Sequence, residues 1–440
     1  MDCALYTSLQ PTDQSDYGSL RDSSDLELAE SEGSKDEIGA SFSWAEYCSF
    51  FAVGISMMWT WSMILQAVPY FQRRFRLNAW ILRYFQSLNL VVFAFAIIAA
   101  SFILTKSKVE AYYENRLKTS LWIYICVAMV MMISTFGLFY VSAEVYLPLV
   151  LLMVFVTAVA NALSQNAAFA FAAGFGRTEY ASAILTGEAL AALLPSVIEI
   201  ASALLVPASY FGPHGKDRQH TSPSMLLYFF LGVPLGLAAL CCLKLLEYRR
   251  CIRVPQYHWA ARSHNKNLRA LWGKLHWPAS ANFLCLCLSA VSPVFASKIH
   301  SLTPEVNAPT ILRREAFIPL AIVLWNIGDL LGSMFSVFFK SLTRLPYLLF
   351  FLSLARMGFI PLYLICNIDG KGSPLGNWFY LFVVQFLFGL THGCISALSM
   401  SGVPRWVEPE EREAAGAFMG LSLVFGLVAG SGLGLLAALT

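Results

Sequence analysis

Ionisable and amide side chains are rare within the apolar stretches of this 440-residue chain, and their spacing groups them. Asn161 and Gln165 stand four residues apart, so a helix places both on one face. Asn326, Asp329 and Ser333 follow spacings of three and four residues and share a face in the same way. An amide presents donors and acceptors, and a carboxylate accepts hydrogen bonds from hydroxyl groups, so these residues can bind a polar solute. Away from the ends of these stretches, the ionisable side chains that we single out are Glu188, Glu199, Asp329, Arg356 and His392.

A charge at the centre of a bilayer costs about 2.5–3.5 kcal/mol on insertion scales, so it usually faces a cavity or a partner. Several apolar segments each carry a polar stripe, which favours a central aqueous cavity containing Glu188 and Asp329. The alternative is that Asp329 pairs with Arg356 and joins two helices, and Arg356 is more typical of a structural partner than of a solute ligand. His392 is a candidate proton acceptor, with a hydrogen-bonded packing histidine as the equal alternative.

The composition indicates which elements position these side chains. Hydrophobic residues make up 57% of the chain and charged residues 13%, whereas a soluble chain has about 25% charged residues. This balance excludes a soluble enzyme, a nucleic-acid-binding protein and a disordered regulator. Apolar runs of this length must form helices in lipid, because their backbone groups have no water to bind. The predicted segments are 46–71, 79–104, 119–142, 146–173, 181–206, 222–247, 279–299, 316–339, 346–367, 377–401 and 414–438.

The sequence therefore predicts an all-α polytopic membrane protein with eleven transmembrane helices in a six-plus-five, two-bundle arrangement. The predicted regions are a disordered acidic cytosolic tail over 1–43, a six-helix bundle over 44–247, a basic cytosolic loop over 248–278 and a five-helix bundle over 279–440.

Charge patterns predict the orientation of the chain in the membrane. The tail has ten acidic and two basic residues, and the loop after the sixth segment is rich in Lys and Arg. Basic loops stay in the cytosol, so we expect a cytosolic N-terminus and a C-terminus on the opposite side. Two Tyr-x-x-Leu strings, which begin at Tyr6 and Tyr17, are candidate contacts for sorting adaptors. The basic loop is a topology signal, with anionic lipid as an alternative partner.

Several sequence motifs that mark other kinds of membrane protein are missing. The chain contains no Walker A string, no His-Glu-x-x-His motif and no cluster of aspartates. We therefore expect no ATP-driven pump, no enzyme, no catalytic residue, no cofactor and no metal. A solute carrier is favoured, with a channel or a receptor as alternatives.

Four sequence blocks carry a more specific pattern. They read GISMMWTWSMILQAVPYF, NALSQNAAFAFAAGFG followed by TGEALAALLPS, WNIGDLLGS, and GLTHGCISALSMSGVPRWVEPEEREAAGAFM. In this order, with eleven segments and a large loop after the sixth, the chain resembles the equilibrative nucleoside transporters, in particular their fungal vacuolar branch. The resemblance covers residues 54–420.

The resemblance implies a fold similar to the major facilitator bundle, alternating access, and a nucleoside or nucleobase bound near the middle of the membrane. It implies that Trp61, with Leu65 one turn later, lines the cavity near the sugar or base. Gln165 would hydrogen-bond the base edge, and Asp329 would meet ribose hydroxyls. The further residues that we assign to substrate binding are Asn161, Glu188, Asn326, Ser333 and His392, and those with a structural or gating role are Arg356, Gly187 and Gly332.

The chain departs from the family's pattern where the family concentrates function. These departures are Ser62 for asparagine, Glu188 for glutamine, Ser333 for arginine and His392 for asparagine. Without that arginine, two ionised carboxylates would share the cavity, so at least one is expected to hold a proton.

Three outcomes follow from these departures. Protons influence transport, the acidic cavity attracts organic cations, or Arg356 and His392 supply the missing positive charge. We favour a facilitative or proton-influenced nucleoside transporter. The alternatives are an organic-cation transporter and a non-transporting membrane sensor or scaffold. A vacuolar or endolysosomal membrane is favoured, with the plasma membrane as the alternative.

Overall fold

The structure of the protein, a computed structural model, describes residues 42–67, 70–71, 74–76, 78–106, 113–137, 141–205, 223–253, 268–303, 309–368, 372 and 374–439. Within these ranges, eleven helices are long and apolar enough to cross a membrane, as the sequence predicts. They are α1 (Trp44–Gln66), α2 (Ala79–Lys106), α3 (Tyr113–Gly137), α4 (Ala143–Gly174), α5 (Thr178–Leu205), α6 (Pro223–Arg253), α7 (Leu268–Lys298), α8 (Arg314–Phe335), α9 (Pro346–Leu364), α10 (Phe379–Ser401) and α11 (Arg412–Leu439).

Two helices extend into the region 248–278 that the sequence predicts as a loop. Helix α6 ends at Arg253 and α7 begins at Leu268, and each has 31 residues. At 1.5 Å per residue such a helix is about 46 Å long, well beyond the ~30 Å hydrocarbon core. In both helices the helical backbone hydrogen bonds continue into the polar sequence next to the apolar run. Hydropathy alone places the helix ends at the edge of that run. Other predicted features lie outside the described residues: the loop centre 254–267, most of the tail with Tyr6 and Tyr17, and the Glu199 side chain.

The helices form two groups whose internal contacts repeat. In the first group α1 packs extensively against α5, and α2 packs against α4. In the second group α7 packs against α11, and α8 packs against α10. We call the first group, α1–α6, the N-terminal bundle and the second, α7–α11, the C-terminal bundle. The bundles meet where α11 lies against α4, and where α8 and α10 lie against α5.

Glycines allow the closest helix approaches within both bundles. A Cβ atom on Gly187 of α5 would lie 2.2 Å from the Phe51 carbonyl oxygen of α1. A Cβ atom on Gly332 of α8 would lie 2.1 Å from the Leu390 carbonyl oxygen of α10. Neither distance can hold a methyl group, so backbone-to-backbone packing requires glycine at both positions.

Helices α9 and α10 are interrupted, although their sequences predict single continuous runs. Helix α9 contains a 3₁₀ turn at Arg356–Gly358, close to Pro361, which has no N–H for the helical hydrogen bond. Helix α10 begins with a π-helical segment, Phe379–Phe386, which ends six residues, just under two turns, before His392. A π-helical segment rotates the residues that follow it, and such segments are frequent at functional sites.

Candidate functional site

Two carboxylates, one on each bundle, form the centre of the candidate site. Glu188 on α5 accepts a hydrogen bond from Gln165 Nε2 of α4 at 2.7 Å. Asp329 Oδ1 on α8 lies 2.8 Å from His392 Nδ1 of α10. The two carboxyl groups are near enough to interact electrostatically. The structure thus brings together four of the predicted site residues from four different helices.

The two carboxylates are compensated to different degrees. The Asp329 side chain is 14% exposed, and its partner His392, 11% exposed, can carry a full positive charge. Glu188 is half-buried, and the partner described for it is the neutral Gln165 amide. An amide offsets less of the cost of burying a charge than an opposite charge does. Glu188 is therefore the more costly of the two to keep ionised.

Three buried polar atoms around this centre have no hydrogen-bond partner among the described residues. They are the carbonyl oxygen Oε1 of Gln165, Nε2 of His392 and the indole Nε1 of Trp325. A buried polar atom without a partner is costly, so native structures usually pair such groups with water or a ligand. Together these atoms offer both donors and acceptors to a polar solute.

Trp325 is a site residue that the sequence reasoning missed. Its ring lies 5.8 Å from the His392 ring, measured between centroids, with an interplanar angle of 33°. It immediately precedes Asn326 in the string WNIGDLLGS. A tryptophan inside an apolar helix is usually interpreted as a packing residue. The available signal was its indole N–H, which needs a partner when it is buried.

The predicted amides Asn161 and Asn326 lie in two different places. Asn161 Oδ1 accepts from the Tyr124 hydroxyl at 3.3 Å, and this hydroxyl lies 2.9 Å from Ser164 Oγ. Tyr124 is within electrostatic range of Glu188, so Asn161 belongs to the polar surroundings of the site. Asn326 Nδ2 donates to Ser196 Oγ at 3.1 Å, which joins α8 to α5 across the bundle interface.

Trp61 and Leu65 on α1 occupy unlike environments. Trp61 is buried, and its ring stacks on Phe93 of α2 with centroids 3.8 Å apart. Leu65, one turn later, is 48% exposed. The Trp61 ring therefore packs between helices of the N-terminal bundle, and the expected contact with a sugar or base stays a prediction for both residues.

Ser333 lies beside the bundle interface. Its hydroxyl donates to the Leu330 carbonyl of its own helix at 2.9 Å. Its carbonyl accepts from Ser182 Oγ of α5 at 3.3 Å. Ser182 Oγ also lies 3.2 Å from Ser336 Oγ. Through its backbone, Ser333 therefore contributes to the contact between bundles.

The alternative prediction, an ion pair between Arg356 and Asp329, is not what the structure shows. Arg356 instead binds neutral groups of the C-terminal bundle. The guanidinium donates to four acceptors, and its centre lies 4.4 Å from the Phe388 ring. Backbone carbonyls and hydroxyls can satisfy a guanidinium without a carboxylate, which helix spacing does not reveal. The acceptors are the carbonyls of Cys285 and Phe388, Ser289 Oγ and Thr391 Oγ1, at 3.1–3.2 Å.

Ion pairs join the bundles at the membrane face where α1 begins, which we call the N-terminal face. Lys340 Nζ, in the 3₁₀ segment after α8, lies 2.6 Å from Glu179 Oε1 at the start of α5. Arg250 of α6 contacts Glu413 at the start of α11 and Glu114 of α3. The bundles are therefore held together at this face, on one side of the Glu188–Asp329 centre.

A sequence profile described as "Nucleoside transporter" matches residues 151–271 and 278–438, which is more than half of the chain. The chain belongs to the nucleoside transporter family. The matched ranges contain both carboxylate pairs and Trp325.

Relatives of similar sequence include a fungal and a human transporter. The chain is 26% identical over 446 residues to "Nucleoside transporter FUN26" of Saccharomyces cerevisiae, covering 88% of this chain and 82% of the relative. It is 32% identical over 159 residues to "Equilibrative nucleoside transporter 2" of Homo sapiens, covering 34% of each chain.

Solved structures show the fold of this nucleoside transporter family member. The outward-facing structure of the major facilitator transporter FucP aligns with a TM-score of 0.55 at 14% identity, covering 89% of this chain and 91% of that one. The proton:xylose symporter XylE aligns with a TM-score of 0.55 at 11% identity, covering 88% and 87%. The chain is a multi-pass membrane protein with a major-facilitator-like fold, as expected.

Proposed function

We propose that this protein moves nucleosides or nucleobases across a membrane by alternating access between its two bundles. The observation that carries the proposal is the placement of the Gln165–Glu188 pair on one bundle and the Asp329–His392 pair on the other. A solute bound between the pairs would contact both bundles. Its binding would therefore be coupled to their relative movement.

The chemistry of these groups suits a nucleoside. The Asp329 carboxylate can accept hydrogen bonds from ribose hydroxyls, and the amide of Gln165 can pair with a base edge. The Trp325 indole N–H can donate to an acceptor on the solute. A site of this kind rejects a solute that leaves its buried polar atoms unpaired, so it can be selective.

Uptake of labelled uridine and adenosine into proteoliposomes tests the proposal. We expect saturable uptake that unlabelled nucleoside suppresses, with protein-free liposomes as the control. Absence of uptake and of binding would refute transport and favour the sensor or scaffold alternative.

Transport of organic cations is the second candidate. It is supported by the absence of a charged partner for Glu188 among the described residues, and by Ser333 at the position of the family's arginine. An unlabelled organic cation is the competitor that separates the two candidates. Competition by the cation without nucleoside uptake would favour the second.

A proton influence on transport is part of the proposal, because the site holds two carboxyl groups and an imidazole. Comparing uptake at about pH 5.5 and 7.5 tests it, and equal rates would refute it.

We further propose a vacuolar or endolysosomal location with a cytosolic N-terminus, supported by the acidic tail and the basic loop. Imaging of a tagged protein tests the location. Alanine at Tyr6 and Tyr17 tests the sorting strings, and an unchanged location would refute their role.

A further inference from the structure

The hydrogen bond between Gln165 and Glu188 determines which end of the Gln165 amide is available. An ionised carboxylate accepts hydrogen bonds and cannot donate them. When Glu188 is ionised, Gln165 must therefore turn its NH₂ group toward it, and this is the arrangement in the structure, where Nε2 lies 2.7 Å from Glu188 Oε1. The carbonyl oxygen Oε1 of Gln165 then points away, and it is buried without a partner among the described residues.

We infer that Glu188 is a positioning residue that holds the Gln165 carbonyl toward the solute, so that the site selects nucleosides whose base presents an N–H donor. The inference rests on the proposed function and adds the substrate class. Adenine and cytosine carry this donor on an exocyclic amine, and uracil carries it on the ring nitrogen N3. Adenine or cytosine that lacks the amine leaves the Gln165 oxygen buried and unpaired, which lowers its affinity.

The ionised form of Glu188 leaves the Gln165 amide a single orientation, whereas a protonated carboxyl group can both donate and accept. A glutamine at position 188 would accept from the Gln165 NH₂ group or donate to its carbonyl oxygen, so both orientations would be satisfied. The other groups described near Glu188 do not remove this dependence. Tyr124 is engaged with Asn161 and Ser164, and Asp329 with His392.

The test compares nucleosides that differ in a single amino group. Adenosine and purine riboside form one pair, and cytidine and pyrimidin-2-one riboside form the other. Each is titrated as a competitor of labelled uridine uptake by the full-length protein in proteoliposomes at about pH 8.5, well above the usual pKa of a carboxyl group, so that the ionised form of Glu188 is favoured. In the wild type we expect the amino compound of each pair to compete about tenfold better or more.

Glu188→Gln is the decisive variant, and Asp329→Asn is its matched control. We expect Glu188→Gln to bring both competition ratios to within about twofold of unity. Asp329→Asn makes the same change on the carboxylate that does not contact Gln165. It should lower uptake and keep the wild-type ratios. A residue that only supports the fold would lower uptake in Glu188→Gln without changing the ratios.

The outcomes separate the inference from the proposed function. Wild-type uptake with ratios near unity, or ratios that persist in Glu188→Gln, would overturn the inference and leave nucleoside transport intact. Should Glu188→Gln not accumulate, Gln165→Met removes the acceptor, and persistence of the wild-type ratios in that variant would overturn the inference. Absence of nucleoside uptake or binding by the wild type would overturn both.

Discussion

His392 Nδ1 lies 2.8 Å from Asp329 Oδ1, and the glycine next to the histidine makes this contact possible. A Cβ atom on Gly393 would lie 2.1 Å from the Asp329 carbonyl oxygen. The backbones of α8 and α10 therefore touch at the level of the pair, and the imidazole reaches the carboxylate from a rigid position. Two side chains that are 63 positions apart in the sequence become one unit through this packing.

Removing the imidazole should leave the Asp329 carboxylate without its described partner. We expect His392→Leu to lower uptake by about tenfold to a hundredfold, because a hydrogen bond to a charged group contributes about 1.5–3 kcal/mol. His392→Asn is the matched control, since its amide can still donate to Asp329. Initial rates of nucleoside uptake check the prediction. Equal losses in both variants would show that the hydrogen bond to Asp329 is not what the site requires.

The glycine contact between α8 and α10 should be intolerant of a single methyl group. We expect Gly332→Ala to destabilise the protein by about 1–3 kcal/mol, since its Cβ would meet the Leu390 carbonyl oxygen. Gly432→Ala in α11 is the control, because no described atom lies within 4 Å of its added Cβ. The melting temperatures of the two purified variants in detergent provide the measurement. A similar melting temperature for both would contradict the packing argument.

The sequence predicted the number and order of the transmembrane helices because each apolar run carries its own signal. It also marked Gln165, Glu188, Asp329 and His392 as candidate site residues, because polar groups are rare in apolar helices. It did not predict their pairing. Which helix packs against which depends on glycine contacts between segments far apart in the chain, and the spacing within one helix does not show it.

Two further features depended on the folded chain. Trp325 belongs to the candidate site because its indole N–H is buried without a described partner, and the sequence does not show this burial. The interruption of α9 at Arg356–Gly358 lies close to Pro361, a residue whose type predicts a kink, but its exact place depends on the folded backbone.

Arg356 should act on stability and not on the choice of solute. Arg356→Lys replaces five donors in a planar fork with three on one nitrogen, so several of its four acceptors lose their partner. We expect a lower melting temperature and an unchanged pattern of competition by nucleosides and organic cations. The reverse result, unchanged stability with an altered pattern, would indicate that Arg356 faces the solute.

The ion pair between Glu179 and Lys340 should help to keep the N-terminal face closed. Both side chains are partly exposed, at 18% and 31%, so the pair contributes about 0.2–1 kcal/mol and its loss shifts the closed population only severalfold. Glu179→Lys places two lysines together and should open this face. The double swap of Glu179→Lys with Lys340→Glu restores an opposite-charge pair and should close it again.

Labelling of the Ser182→Cys variant with a thiol reagent reports directly whether the N-terminal face is closed. Ser182 is buried near this pair and contacts Ser336 across the interface, so a reagent reaches it only when the bundles separate at the N-terminal face. In a background without exposed cysteines, we expect labelling to rise in Glu179→Lys and to return toward the starting level in the double swap. Equally low labelling in the single and double variants would mean that other contacts, such as those of Arg250 with Glu413 and Glu114, hold the face closed without this pair.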